Sequence, residues 1–179
     1  MSYHIVHIED ERLRRYVVKH IYAEWKYLFG NFYDMTTEEQ VYHMFKTSPI
    51  ILYACLDSQG RFMGCFSLVR DGADKAGITL ADLYVVPEHR GKAVGRTMIN
   101  YVLARCDAVK LHCEAQHILF YEKFGFDVCK SFVIKGADGA EKTMYVMQNS
   151  RKQEDIITPY VIYMIMIIGI ACVIFILWL

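Results

Sequence analysis

Residues 156–179 run for 24 positions without a charged side chain, and only Thr158, Pro159 and Gly169 among them are neither aliphatic, aromatic nor cysteine. A helix that is apolar on every face needs protein or lipid all around it. A chain of 179 residues has too little left over to surround one. As a helix, residues 159–179 would extend about 31 Å, close to the roughly 30 Å hydrocarbon layer of a bilayer. The segment therefore reads as a transmembrane helix. Tyr160, Tyr163 and Trp178 lie toward its ends, where amphipathic aromatics favour the interface. The opening run, MSYHIVHIEDERLRR, holds no apolar stretch of the kind found in a secretory leader. The expectation is a C-terminal tail anchor inserted after translation. A folded domain over residues 1–148 would face the cytosol, joined to the anchor at 156–179 by a polar linker, 149–155.

The other 155 residues carry all 40 charged side chains, an ordinary soluble composition. Lys plus Arg and Asp plus Glu are 20 each, so no charge excess points to nucleic acid. The six cysteines form no CxxC pair. Only His112, Cys113 and His117 approach the clustering that a metal needs. No metal is expected, and the cysteines read as small apolar residues in a reducing compartment.

Hydrophobic periodicity and breakers give the element order. Residues 3–8 read as a strand and 10–29 as an amphipathic helix stopped by Gly30. Thr36 or Thr37 caps a second helix over 38–45. Strands at 50–56 and 61–69 form a hairpin around Asp57-Ser58-Gln59-Gly60. A polar loop at 71–77 leads to a strand at 78–86, ended by Pro87. A helix to about Ala104, a strand at 108–113 and a short helix at 118–123 follow. A hairpin of 126–134 and 142–147 closes the domain. The order β-α-α-β-β-β-α-β-α-β-β predicts an α/β or α+β fold: a mixed sheet with helices on both faces.

The most informative stretch is LADLYVVPEHRGKAVGRTMINYVL, residues 80–103. A strand enters a basic, glycine-containing loop that opens a helix. Free N–H groups and partial positive charge at a helix N-terminus suit phosphate, and Gly91 and Gly95 permit close backbone approach. Arg90, Lys92 and Arg96 add charge. The spacing is neither that of a Walker loop nor that of a Rossmann fingerprint.

A second stretch, EAQHILFYEKFGFDV at 114–128, follows the next strand. Together the two resemble motifs A and B of the GNAT superfamily of acetyl-CoA-dependent N-acetyltransferases. Motif A, Gln/Arg-x-x-Gly-x-Gly/Ala, is here Arg90-Gly91-Lys92-Ala93-Val94-Gly95. Motif B contributes an aromatic–Tyr pair, Phe120-Tyr121, and a Gly-Phe, Gly125-Phe126. KLHCEAQHILFYEKFGF is similar to the matching part of glucosamine-6-phosphate N-acetyltransferases. Ala93 departs from the motif glycine, and Glu114 and His117 stand where motif B often has Asn-x-x-Ala.

The resemblance implies a GNAT-like sheet splayed between its fourth and fifth strands, with acetyl-CoA in the gap. Backbone groups of Leu83, Tyr84, Val85 and Val86 would meet the pantetheine. Arg90, Gly91, Lys92, Ala93, Val94, Gly95 and Arg96 would surround the diphosphate. The implied reaction is direct attack of a primary amine on the thioester, with Tyr121 donating a proton to the leaving thiolate. Asp82 is the leading candidate base, with Glu114, His112 and His117 behind it. The acceptor classes are an amino sugar, a small amine or a protein amine. Trp25, Tyr27, Phe29, Phe32 and Tyr33 either line its pocket or belong to the core. The expected partners are acetyl-CoA, the acceptor, the bilayer and, as a candidate, a second copy in a homodimer. The rival reading is a GNAT fold without catalysis, acting as a membrane-bound interaction module.

Overall fold

The computed structural model describes residues 3–70 and 77–149. Most of the loop at 71–77, all of the linker beyond Asn149 and the apolar segment 156–179 lie outside the described residues. Among the described residues, no helix is long and apolar enough to cross a membrane.

Seven strands form one sheet: β1 (Tyr3–His7), β2 (Ile50–Asp57), β3 (Phe62–Arg70), β4 (Ile78–Val85), β5 (Val109–Cys113), β6 (Phe126–Lys135) and β7 (Glu141–Asn149), in the spatial order β1-β2-β3-β4-β5-β7-β6. All neighbours are antiparallel except β4 and β5, which run parallel. A parallel pair needs a crossover, and α3 (Val94–Leu103) supplies it.

Helices α1 (Glu11–Phe32) and α2 (Glu38–Thr47) cover one face of the sheet. Val17, Val18, Ile21, Val41 and Phe45 there meet Leu52, Ala54, Cys65 and Tyr84. Helix α3 and the short α4 (Ile118–Glu122) lie on the other face, where Val94, Met98, Ile99 and Val102 pack on Phe66, Leu80, Val109 and Leu111. The expected mixed sheet with helices on both faces is therefore present.

The helix boundaries follow their caps. Asp10 accepts from the Leu13 amide at 2.8 Å and opens α1. Thr37, rather than Thr36, is the N-cap of α2, and Gln40 returns the bond to complete a capping box. The expectation that Gly30 ends α1 fails. The helix continues to Phe32, because Phe29 is buried in the core and its carbonyl accepts the amides of Tyr33 and Met35. The break in α1 comes earlier, at Trp25, where φ is −115° and ψ 25°.

Candidate active site

The site begins with a wedge in the sheet. β4 and β5 pair only from Ile78–Leu80 with Val109–Leu111. Beyond Leu111, β5 stays with β7, pairing Cys113 to Tyr145. Residues 82–85 of β4 are left without a strand partner on that side, as the resemblance implies.

The same part of β4 carries a bulge. Gly64 lets β3 come so close that a Cβ there would stand 2.3 Å from the Tyr84 carbonyl oxygen. Cys65 pairs with Tyr84 and Ser67 with Ala81, so Phe66 alone faces Asp82 and Leu83. Asp82 takes φ +52° to make this turn. Its carboxylate accepts a hydrogen bond from the Ser67 hydroxyl. Burial pushes the Asp82 carboxyl above its usual range, and the Ser67 bond opposes that rise.

From β4 the chain turns through Pro87–His89 into a tight loop. Gly91 at φ +77° and Ala93 at φ +62° set α3 in place. No side chain caps α3, so the first-turn amides of Val94, Gly95 and Arg96 have no intrahelical partner. They open on a depression of ≈ 450 Å³ bordered by Val85, His89, Arg90, Gly91, Gly95 and Phe120. At Gly95 a Cβ would touch the Phe120 ring at 3.4 Å and Val85 at 3.7 Å. The Nδ1 atom of His89 is buried there without a hydrogen-bond partner.

Two expected contributors are placed differently. The Arg90 guanidinium is committed to Glu24 on α1 at 2.7 Å and to the Val85 carbonyl at 3.0 Å. It braces the loop against α1 rather than standing free for an anion. The Lys92 amide donates to His89 at 3.3 Å, and its carbonyl accepts the Tyr3 hydroxyl at 2.9 Å. The usable amides thus begin after Lys92.

Tyr121 lies on α4, with its ring 5.1 Å from Phe120 and 6.0 Å from Phe126. Its hydroxyl makes no hydrogen bond among the described residues. Burial, with Cys113 nearby, pushes the phenol far up, so it stays protonated at neutral pH. Glu114 is held by Lys142 at 2.8 Å. His112 and His117 are exposed, and His112 lies against Phe132 at 5.4 Å.

The acceptor-side aromatics divide. Phe29 is core, and Trp25 packs edge-on to Tyr84 at 6.1 Å. Tyr27 and Tyr33 are exposed, and Phe32 packs on Tyr27. Sequence reading missed the clasp that Tyr27 helps to make. Its hydroxyl donates to Asp138 Oδ2 at 2.9 Å, and Asn31 Nδ2 donates to Asp138 Oδ1 at 2.8 Å. The tip of the β6–β7 hairpin is thereby tied to the end of α1. Gly136 is the one legible trace, since a Cβ there would fall 2.2 Å from Asn31 Nδ2.

Among the described residues no group of three or more His, Cys, Asp or Glu side chains could hold a metal ion. The donor set fits acetyl-CoA instead. An open strand edge suits amides, an uncapped helix end suits a diphosphate, and an orphaned imidazole nitrogen lies in the same depression.

The sequence model described as acetyltransferase (GNAT) domain matches residues 48–128, and the fold is the one found in N-acetyltransferases of known structure. A Vibrio cholerae spermidine N-acetyltransferase, solved with CoA and spermine, superposes with a TM-score of 0.66 at 15% identity, covering 84% of this chain and 98% of its own. A variant of the spermidine/spermine N-acetyltransferase SpeG, also from Vibrio cholerae, gives 0.62 at 16%, over 86% and 99%. A candidate phosphinothricin N-acetyltransferase gives 0.66 at 18%, over 83% and 98%. No curated protein matches the chain.

Proposed function

We propose that this chain is an N-acetyltransferase that moves the acetyl group of acetyl-CoA onto a primary amine by direct attack, with no covalent enzyme intermediate. One arrangement carries the reading: a wedge beside β4 flanked by an uncapped helix end, a half-buried carboxylate and an unpartnered phenol. Acetyl-CoA supplies an activated acyl thioester. The backbone of Leu83, Tyr84, Val85 and Val86 binds its amide arm. The amides from Ala93 to Arg96 hold the diphosphate.

Ser67 alternates along β3 with Phe66 and Leu68, which belong to the α3 core. Its partner Asp82 is therefore on the α1–α2 side of the sheet, and Tyr121 on the other. The acceptor ammonium gives its proton to Asp82 on the first side. The Tyr121 hydroxyl donates to the departing sulfur on the second. A carboxyl raised by burial suits the first task, and a phenol that stays protonated suits the second.

The Tyr27–Asn31–Asp138 clasp ties α1 to the β6–β7 hairpin, and with the acceptor entering beside it the reading favours a soluble amine of modest size. An amino sugar phosphate and a polyamine are the first acceptors to try. The proposal keeps the domain at residues 1–148, the linker at 149–155 and a membrane anchor at 156–179, with the domain facing the cytosol and a homodimer as the assembly.

Thiol release by the full chain in detergent, with acetyl-CoA and a panel of amino sugars, polyamines, alkyl amines and peptides, tests the activity. Release dependent on one class of amine supports it. Tight acetyl-CoA binding without release from any amine favours the non-catalytic module. Resistance to alkaline carbonate extraction tests the anchor, protease access in sealed membranes the orientation, and sedimentation the dimer.

A further inference from the structure

We propose that Ser67 is a positioning residue for the transfer: its hydroxyl holds the Asp82 carboxylate in the orientation and charge state in which it takes the acceptor's proton. The inference rests on Asp82 being the base.

The geometry isolates the pair. Asp82 sits on the bulge, in a backbone conformation that few non-glycine residues adopt, so its side chain is aimed by the sheet rather than by rotamer choice alone. Ser67 is fully buried, with no exposed surface. The neighbouring Cys65 thiol points at the Asp82 carbonyl at 4.0 Å. The strand β3 thus touches both the main chain and the side chain of Asp82. A buried hydroxyl needs a partner in any fold, but a backbone carbonyl would serve. Pairing it with a carboxylate on a bulge beside an open strand edge gives it a consequence for proton transfer.

The direction of that consequence follows from the surroundings. Cys65 on β3 is kept protonated by burial. Tyr84 on β4 has its phenol pushed up, chiefly by burial. Beyond it on α1 stand His20, against the Tyr84 ring, and Glu24, neutralised by Arg90. No cation in this set holds Asp82 ionised. A hydrogen bond to the charged form lowers a carboxyl's affinity for protons, and among the described residues only Ser67 supplies one. Without it, burial acts unopposed, and Asp82 ionises at higher pH.

The test is the pH dependence of kcat for the full chain in detergent, with acetyl-CoA affinity and thermal midpoint measured alongside. Ser67→Ala should move the acid limb to higher pH. The loss should be about tenfold at the acid end, the scale of one bond to a charged group, and activity should recover as pH rises. Acetyl-CoA affinity should not change. Ser67→Cys, close in shape but a weaker donor, should fall between. Asp82→Asn should lose activity at every pH. An unmoved acid limb in folded Ser67→Ala, with Asp82→Asn inactive, would overturn the inference and leave Ser67 as packing. Full activity in Asp82→Asn would remove the base assignment and this inference with it.

Discussion

The strand edge and helix end that border the wedge, and the contacts that hold the β6–β7 hairpin, are built by different means. The rim made by β4 and α3 comes from one run of chain, residues 82–96, and acts mainly through backbone groups and glycine spacing. The hairpin is held by side chains far apart in sequence. Tyr27 and Asn31 meet Asp138 across 111 and 107 residues, and Glu114 meets Lys142. A cofactor common to many enzymes can be held by backbone that tolerates side-chain change. Under the proposed function, an acceptor specific to one enzyme needs particular side chains, and the clasp shows that such side chains can come from elements that only the fold brings together.

The contrast can be broken first at Gly95. Gly95→Glu sends a bulky acid from the uncapped end of α3 into the depression, where Phe120 already limits space. Acetyl-CoA binding should weaken more than tenfold, above about 1.4 kcal/mol, as titration calorimetry on the full chain can read. Unchanged affinity in the folded variant would take this rim out of the cofactor site.

The hairpin clasp answers to Asp138→Ala. The variant loses the bonds from Tyr27, Asn31 and the Ala140 amide. It should raise the acceptor KM while leaving acetyl-CoA affinity alone, and lower the thermal midpoint at neutral pH. The Ala140 amide, with Asn31 and Tyr27, holds the Asp138 carboxyl below its ordinary range. A depressed folded-state value gives stability that is full above the unfolded value of about 4 and lost as pH falls through the folded one. The midpoints of parent and variant should therefore converge in acid below about pH 4. A gap that persists there would mean that the clasp does not depend on the charge.

The smallest effect is expected at Ala93. A non-glycine residue in the left-handed region costs on the order of 1–3 kcal/mol, and glycine gives back about 0.5–1 kcal/mol through its freer unfolded chain. Ala93→Gly should raise the thermal midpoint slightly and leave acetyl-CoA affinity within twofold. A falling midpoint would show that the alanine methyl makes a contact worth more than the strain.

What the sequence disclosed follows the same division. The strand–loop–helix at residues 80–103 was legible because its chemistry is local: Pro87 ends the strand, Gly91 turns the loop and the helix face repeats at Val94, Met98 and Val102. Tyr121 was legible through its neighbours, Phe120 and Gly125-Phe126. The bulge at Asp82 was not, since it depends on Gly64 of another strand approaching Tyr84. Nor was the commitment of Arg90 to Glu24, because a basic residue in a glycine loop carries no mark of a partner 66 positions away. Gly30 misled because its lack of a Cβ stops a helix only where no tertiary contact carries it on, and Phe29 supplies one.

Tyr121→Phe tests the central claim, that transfer occurs in the wedge, most directly. The substitution keeps the ring against Phe120 and Phe126 and removes only the unpartnered hydroxyl. A general acid contributes ~10²–10⁴-fold, part of which water can recover. The account predicts kcat at least about tenfold lower, with acetyl-CoA affinity and thermal midpoint close to the parent's. Normal turnover per folded molecule would contradict it and would leave Tyr121 as a residue of the core.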